Sequence, residues 1–152
     1  MASPPAGYDL LPLDGAPTLP GVLEASLYVD DLDSAAKFYG EILELELVLS
    51  VEGRHIFYRC GETIVLLFVA DKTREATTNS KLPVPPHGAE GAGHICFAAS
   101  GKDLDRWRMK FEKTGIAIEA DFNWPNGARS IYVRDPAGNS VEFAEPKLWG
   151  ID

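Results

Sequence analysis

Gly93-His94-Ile95-Cys96-Phe97-Ala98 is a short apolar run that carries a histidine near its start. Successive side chains of a strand point to opposite faces of a sheet, so His94 and Cys96 are predicted to share one face. A stretch with helical spacing of apolar residues follows over 102–114, and Gly115 stands where a C-terminal cap belongs. Strand patterns then cover 116–122, 129–134 and 139–145. The second half of the chain is therefore predicted to be one strand, one helix and three strands.

The first half of the chain repeats this order. A strand is predicted over 22–29, and Asp30-Asp31 has the composition of a helix start. Three further strands are predicted over 46–51, 55–60 and 63–70. Each half spans about 50 residues, which is too few to bury a good core alone. The sequence therefore predicts an α+β fold in which two βαβββ modules form an eight-stranded curved, partly open barrel-like sheet with helices outside and a cleft inside.

Segments rich in proline and glycine set the expected boundaries of the modules. Prolines are frequent up to Pro20, and a polar segment rich in proline and glycine separates the two repeats. We expect a flexible lead-in over 1–21, the first module over 22–70, a linker over 71–92, the second module over 93–146 and a C-terminal tail over 147–152.

The composition excludes several classes of protein. The net charge of −9, from 14 basic and 23 acidic residues, opposes non-specific binding to nucleic acid or to an anionic membrane surface. No apolar run approaches the about 20 residues of a membrane span, and the N-terminus lacks the pattern of a signal peptide. Two cysteines do not make a disulfide framework. These features predict a cytoplasmic protein with reduced thiols that binds neither nucleic acid nor a membrane, and they do not argue against a small ligand held in a pocket.

Three segments resemble the vicinal oxygen chelate superfamily, which includes glyoxalase I, extradiol dioxygenases, and fosfomycin and bleomycin resistance proteins. They are Tyr28-Val29-Asp30-Asp31-Leu32-Asp33, then Gly93-His94-Ile95, then Asp135-Pro136-Ala137-Gly138-Asn139 leading to Val141-Glu142-Phe143. The last segment is the most specific, and together they span about residues 22–146. The repeat predicted from the pattern is the one that this superfamily has.

The resemblance implies positions for metal ligands on the first and last strands of each module. In this chain those positions fall on Glu24, Leu66, His94 and Glu142. Leu66 stands where glyoxalase I has a carboxylate, and a leucine cannot bind a metal. The expected ligand set is therefore Glu24, His94 and Glu142, which argues against glyoxalase I itself. One imidazole and two carboxylates favour Zn, Mn, Ni or Mg over the Fe(II) of a two-histidine triad.

The remaining candidate residues lie on the predicted cleft face or in loops near it. Tyr132 is expected to donate a hydrogen bond or a proton to substrate, and the resemblance gives Glu24 a second role as a catalytic base. The alternatives without a catalytic role are that Tyr132 is a core residue and that Glu24 is merely solvated. Cys96 is more typical of a small filler of the cavity wall than of a nucleophile. His55 is interpreted as structural and His87 as facing solvent. The expected substrate-binding residues are Tyr28, Cys96, Trp124, Ser130 and Arg134.

Three functions remain open at this point. The first is a metal-dependent lyase or isomerase that acts on a small oxygen-bearing molecule. The second is a metal-free protein that sequesters a ligand or drug, as bleomycin resistance proteins do. The third is an extradiol-type dioxygenase, which Glu24 disfavours because a histidine is usual in its place. A homodimer is expected because small modules leave apolar strand edges that invite pairing.

Overall fold

The computed structural model describes residues 15–151. The eight predicted strands are all present within this part of the chain, and the α+β fold of two βαβββ modules is confirmed. The first module contains β1 to β4, which are Glu24–Tyr28, Glu46–Val51, His55–Cys60 and Thr63–Phe68. The second contains β5 to β8, which are His94–Ala98, Ala120–Asn123, Arg129–Arg134 and Ser140–Ala144.

The strands form two four-stranded sheets with the same topology. The order is β1-β4-β3-β2 in the first sheet and β5-β8-β7-β6 in the second. In each sheet the first strand of the module lies parallel to the last, and the other neighbours are antiparallel. The repeat read from the sequence is therefore a repeat of structure. The eight strands do not form one continuous ladder in the described chain, because each sheet ends at its own edge strands.

The helices follow from local sequence signals. Helix α1, Leu32–Ala35, begins at Asp31, whose carboxylate accepts a hydrogen bond from the Asp33 amide at 3.1 Å, and it continues as a π-helix over Ala36–Ile42. In the linker, α2 is one short turn, Ala70–Thr73. Helix α3, Gly101–Thr114, begins at Ser100 and ends at Gly115, whose φ of 73° is the left-handed conformation of a C-terminal cap. A 3₁₀ helix, Pro146–Trp149, follows β8. None of the helices in the described chain is long and apolar enough to cross a membrane.

One apolar core serves both modules. Its members come from β1, the π-helix and β4 on one side and from β5, α3, β7 and β8 on the other, including Leu27, Phe38, Leu67, Leu104, Phe111, Ile131 and Phe143. Burial of this shared surface supplies the hydrophobic stabilisation that neither module can supply alone.

The turn between β7 and β8 holds the two modules together. Its Asp135 is buried and accepts a hydrogen bond from the Tyr39 hydroxyl of the first module at 2.8 Å. Asn139 donates to the Tyr28 carbonyl at 2.9 Å and accepts from the Gly93 amide at 2.8 Å. The Asp-Pro-Ala-Gly-Asn motif thus fixes the start of β5 and the end of β1 relative to each other.

Residues 15–23 are exposed and have no regular secondary structure. The first fourteen residues of the predicted lead-in, and the last residue of the predicted tail, lie outside the described residues. The rest of the predicted linker, after α2, also lacks regular secondary structure, up to Gly93.

Candidate functional site

Strand register places a histidine and a carboxylate on neighbouring strands of the second sheet. In the parallel pair of β5 and β8, His94 lies opposite Ser140 and Cys96 lies opposite Glu142. The His94 Nε2 atom is 3.3 Å from Glu142 Oε2. The Glu142 side chain is 7% exposed, whereas that of His94 is 50% exposed. Glu142 is therefore buried, whereas His94 is half-exposed.

The buried carboxylate is held by a chain of hydrogen bonds. The Ser130 hydroxyl, on β7, donates to Glu142 Oε1 at 2.7 Å, and Trp124 Nε1 donates to Ser130 Oγ at 2.8 Å. Ser130 is fully buried. The other His94 nitrogen, Nδ1, lies 3.2 Å from Ser140 Oγ. These contacts fix the orientation of both side chains, as is typical around metal ligands and catalytic carboxylates. Trp124 is thus tied to the site through Ser130.

Tyr132 and Cys96 flank the pair and stay protonated at neutral pH. Burial, with a further contribution from the nearby Glu142 carboxylate, raises the pKa of Tyr132 to about 12. The Tyr132 ring stacks on Phe122 with centroids 6.0 Å apart and lies 6.3 Å from the His94 ring. Cys96 is an exposed residue, and partial desolvation of its thiol together with the charge of Glu142 raises its pKa to about 12. Since a thiol is a poor nucleophile, the role of Cys96 as a wall of the site is the one this environment supports.

The other predicted site residues lie elsewhere. Glu24 lies on β1 of the first sheet, opposite Ile64, and lines a different cavity together with Tyr28. Within residues 15–151 no three His, Cys, Asp or Glu side chains come together as a metal site. Arg134 does not contact the His94–Glu142 pair; its guanidinium is held by both carboxylate oxygens of Glu119 at 2.5 and 2.8 Å. A single described chain therefore groups His94, Cys96, Trp124, Ser130, Tyr132 and Glu142.

The cavity on the first sheet is lined by both His55 and His87. His87 does not simply face solvent, because its Nδ1 atom lies 2.7 Å from the Tyr28 hydroxyl. His55 lines the same cavity, stacked on Phe57 with ring centroids 4.4 Å apart. The alternation of β3 already puts His55 and Phe57 on one face, so the sequence carried the signal for His55. It carried none for His87, which depends on the path of an irregular loop.

Comparisons with known proteins agree with this architecture. The sequence profile of the Glyoxalase/Bleomycin resistance protein/Dioxygenase superfamily matches residues 21–143. The crystal structure of lactoylglutathione lyase from Agrobacterium tumefaciens is similar with 45% sequence identity and a TM-score of 0.84, covering 88% of this chain and 98% of that one. The chain belongs to the Glyoxalase/Bleomycin resistance protein/Dioxygenase superfamily.

More distant structures share the fold alone. A glyoxalase/bleomycin resistance protein/dioxygenase from Nocardioides has 23% identity and a TM-score of 0.66, covering 86% of this chain and 85% of that one. A fosfomycin resistance protein from Mesorhizobium loti has 21% identity and a TM-score of 0.60, covering 87% of this chain and 97% of that one.

Proposed function

We propose that this protein is a divalent-metal-dependent lyase or isomerase that acts on a small oxygen-bearing molecule. The observation that carries the proposal is the 3.3 Å approach of His94 Nε2 to Glu142 Oε2. An imidazole and a carboxylate at this separation are both able to bind one ion, and they suit Zn, Mn, Ni or Mg better than Fe(II). The name of the Agrobacterium relative, a lactoylglutathione lyase, supports the lyase class.

The donor groups of this chain fit such an ion. The hydrogen bonds from Ser130 to Glu142 and from Trp124 to Ser130 hold the carboxylate in one orientation, which is the role that outer residues have around metal ligands. A bound divalent ion would supply Lewis-acid stabilisation of negative charge on substrate oxygens. Half-exposed His94 leaves one side of the site open to substrate.

The remaining side chains supply binding and proton transfer in this proposal. Tyr132, whose raised pKa keeps it protonated, would donate a hydrogen bond or a proton to a substrate oxygen. Glu24 would act as ligand and base, and Cys96 as a small wall. Tyr28 would bind substrate through its hydroxyl, which already pairs with His87. Arg134 would contact substrate only after release from Glu119.

We propose that a second copy of the chain completes the site. Glu24 is exposed and lies apart from His94 and Glu142 in the described chain. Apolar side chains are exposed just before β1 and along the edge strand β2, namely Val22, Leu23, Leu47, Val48, Leu49 and Val51. A homodimer would cover this surface. It would also bring Glu24 of one copy towards His94 and Glu142 of the other.

A metal-free binding protein is the second candidate. It is favoured by Leu66, which removes a carboxylate from the first sheet, and by the aromatic cavity on that sheet. Elemental analysis of protein purified without chelator separates the two functions. The enzyme proposal expects about one metal per chain, as a closed ligand set implies. Less than about 0.1 metal per chain, with none gained when Mn, Ni, Zn or Fe is added, would favour sequestration.

A further inference from the structure

The first sheet carries a cavity whose lining includes Glu24 and Tyr28, but most of whose lining residues have no role in the proposed metal chemistry. It has a volume of about 860 Å³ and is lined both by β1, β3 and β4 and by linker residues between Thr77 and His87. This volume falls within the roughly 300–1,000 Å³ range of small-molecule sites.

Aromatic rings make up much of the cavity wall, and each one fixes the next. The rings of His55 and Phe57 are stacked with centroids 4.4 Å apart, and the Phe57 ring meets Phe68 edge-on at 5.3 Å. Phe68 in turn meets the His87 ring edge-on at 4.7 Å. These are the separations and angles at which aromatic pairs attract. A flat ring entering the cavity finds both ring faces and ring edges to pack against.

His55 shows a second feature that indicates a ligand. Both ring nitrogens, Nδ1 and Nε2, are buried and have no hydrogen-bond partner among the described residues. Burial, with the charge of Arg54, lowers the pKa of His55, so the neutral ring carries one unsatisfied N–H and one unsatisfied lone pair. Buried polar groups without partners cost free energy. A ligand with a hydroxyl or carbonyl group would supply the missing partner once the side chains that cover the nitrogens shift.

We propose that this cavity binds a neutral aromatic or heteroaromatic ring of the substrate, and that His55 hydrogen-bonds to a polar group on that ring. The lining carries one acidic and one basic side chain, Glu24 and Arg54, so neither sign of charge is favoured on the ring. The inference rests on the proposed function in one respect. Glu24 borders the cavity and is also a proposed metal ligand, which places the ring beside the reacting end of the substrate.

The test is a ¹⁹F NMR titration of the full-length protein with 4-fluorophenol and with fluorobenzene, each with and without EDTA. We expect saturable binding of both probes, independent of EDTA. Phe57→Ala should weaken both. His55→Phe keeps an aromatic side chain at this position but has no ring nitrogens. It should therefore weaken the binding of 4-fluorophenol about tenfold and leave the affinity for fluorobenzene within about twofold of wild type. His55→Gln, which keeps a donor and an acceptor, should retain most of the 4-fluorophenol affinity.

Trp149→Ala is the matched control, because it removes an exposed aromatic ring from the C-terminal 3₁₀ helix; it should change neither affinity. Failure of both probes to saturate, or unchanged binding in Phe57→Ala, would overturn the inference. Equal weakening of both probes by His55→Phe would overturn the hydrogen-bonding role of His55. Saturable binding in a protein that takes up no metal would support this inference while contradicting the proposed enzyme. Metal uptake without probe binding would support the proposed enzyme and overturn this inference.

Discussion

Leu66 occupies in the first sheet the position that Glu142 occupies in the second. In the parallel pair of β1 and β4, Ser26 lies opposite Leu66, two residues after Glu24. In the parallel pair of β5 and β8, Cys96 lies opposite Glu142, two residues after His94. The repeat thus relates Glu24 to His94 and Leu66 to Glu142. One sheet presents a histidine–carboxylate pair, and the equivalent positions of the other present a single carboxylate.

Leu66→Glu should add a fourth ligand to the proposed site. We expect Zn or Mn affinity to rise by about tenfold or more, which corresponds to about 1.4 kcal/mol of binding free energy. Because Leu66 is 8% exposed, the metal-free variant should lose about 1–3 kcal/mol of unfolding free energy through burial of an unpaired carboxylate. Isothermal titration calorimetry and urea unfolding measure the two effects. Leu66→Met is the control, and it should have little effect on either the metal affinity or the unfolding free energy. Equal metal affinity in wild type and Leu66→Glu would mean that the first sheet does not face the metal.

Ser130→Ala should disturb Glu142 without touching the proposed metal directly. The substitution removes the donor at 2.7 Å from Glu142 Oε1 and leaves the Trp124 indole N–H without its acceptor. We expect a loss of about 1–3 kcal/mol in unfolding free energy and a roughly 10- to 100-fold loss of metal affinity. Ser50→Ala, at an exposed position of β2, is the control. A variant that is destabilised but binds metal like wild type would make Ser130 purely structural.

Stability should fall in acid partly through Asp121. Hydrogen bonds from Arg129, at 2.8 Å to each oxygen, and from Arg108 hold the pKa of Asp121 below its ordinary value of 3.8. A carboxyl whose pKa is lower in the folded state stabilises the fold above the unfolded pKa. That contribution is lost as the pH falls through the folded pKa.

Urea unfolding between pH 7 and pH 2 tests this dependence. Asp121→Asn should lower the unfolding free energy by about 1–3 kcal/mol at pH 7 and should show a smaller further loss between pH 5 and pH 2 than wild type. Glu62→Gln, in the exposed turn between β3 and β4, should follow the wild-type curve. Parallel curves for wild type and Asp121→Asn would contradict the assignment.

A site shared between two copies predicts complementation. Glu24→Ala and His94→Ala should each lose metal uptake as pure proteins. In mixed dimers, one of the two sites would combine an intact Glu24 with an intact His94 and Glu142. After unfolding and refolding together in equal amounts, the mixture should recover about a quarter of wild-type uptake, the statistical share for random pairing in a two-fold dimer. No recovery in a mixture shown to contain mixed dimers would place the site within one chain or remove Glu24 from it.

The sequence was sufficient for the fold because its signals are local and repeated. Asp31 and Ser100 mark helix starts through side chains that accept a hydrogen bond from a backbone amide of the first turn, and Gly115 marks a helix end through its left-handed backbone. Strand alternation placed His94 and Cys96 on one face. The Asp135–Asn139 turn was specific because its buried side chains serve both modules.

The arrangement of the site was only partly predictable. Ser130 and Trp124 are predicted to bind substrate, and that role stays a prediction. The structure adds that Ser130 donates a hydrogen bond to Glu142 and that Trp124 donates one to Ser130, a link that depends on χ angles and on loop path rather than on alternation. Arg134 is engaged by Glu119, a partner fixed by the register of β7. In the proposed shared site, the position of Glu24 relative to His94 would depend on how two copies associate, which no local pattern encodes. The homodimer and the cytoplasmic location remain predictions.

The central claim is that His94 and Glu142 bind a divalent metal. The most direct measurement is a calorimetric titration of chelator-treated protein with Zn and with Mn, comparing wild type, His94→Ala and the control His87→Ala. We predict saturation at about one ion per chain in wild type and His87→Ala, and loss of most of the affinity in His94→Ala, which removes the only imidazole of the proposed set. Equal binding by wild type and His94→Ala, or no binding by wild type, would contradict the claim and leave His94 as a side chain that only contacts Glu142 and Ser140.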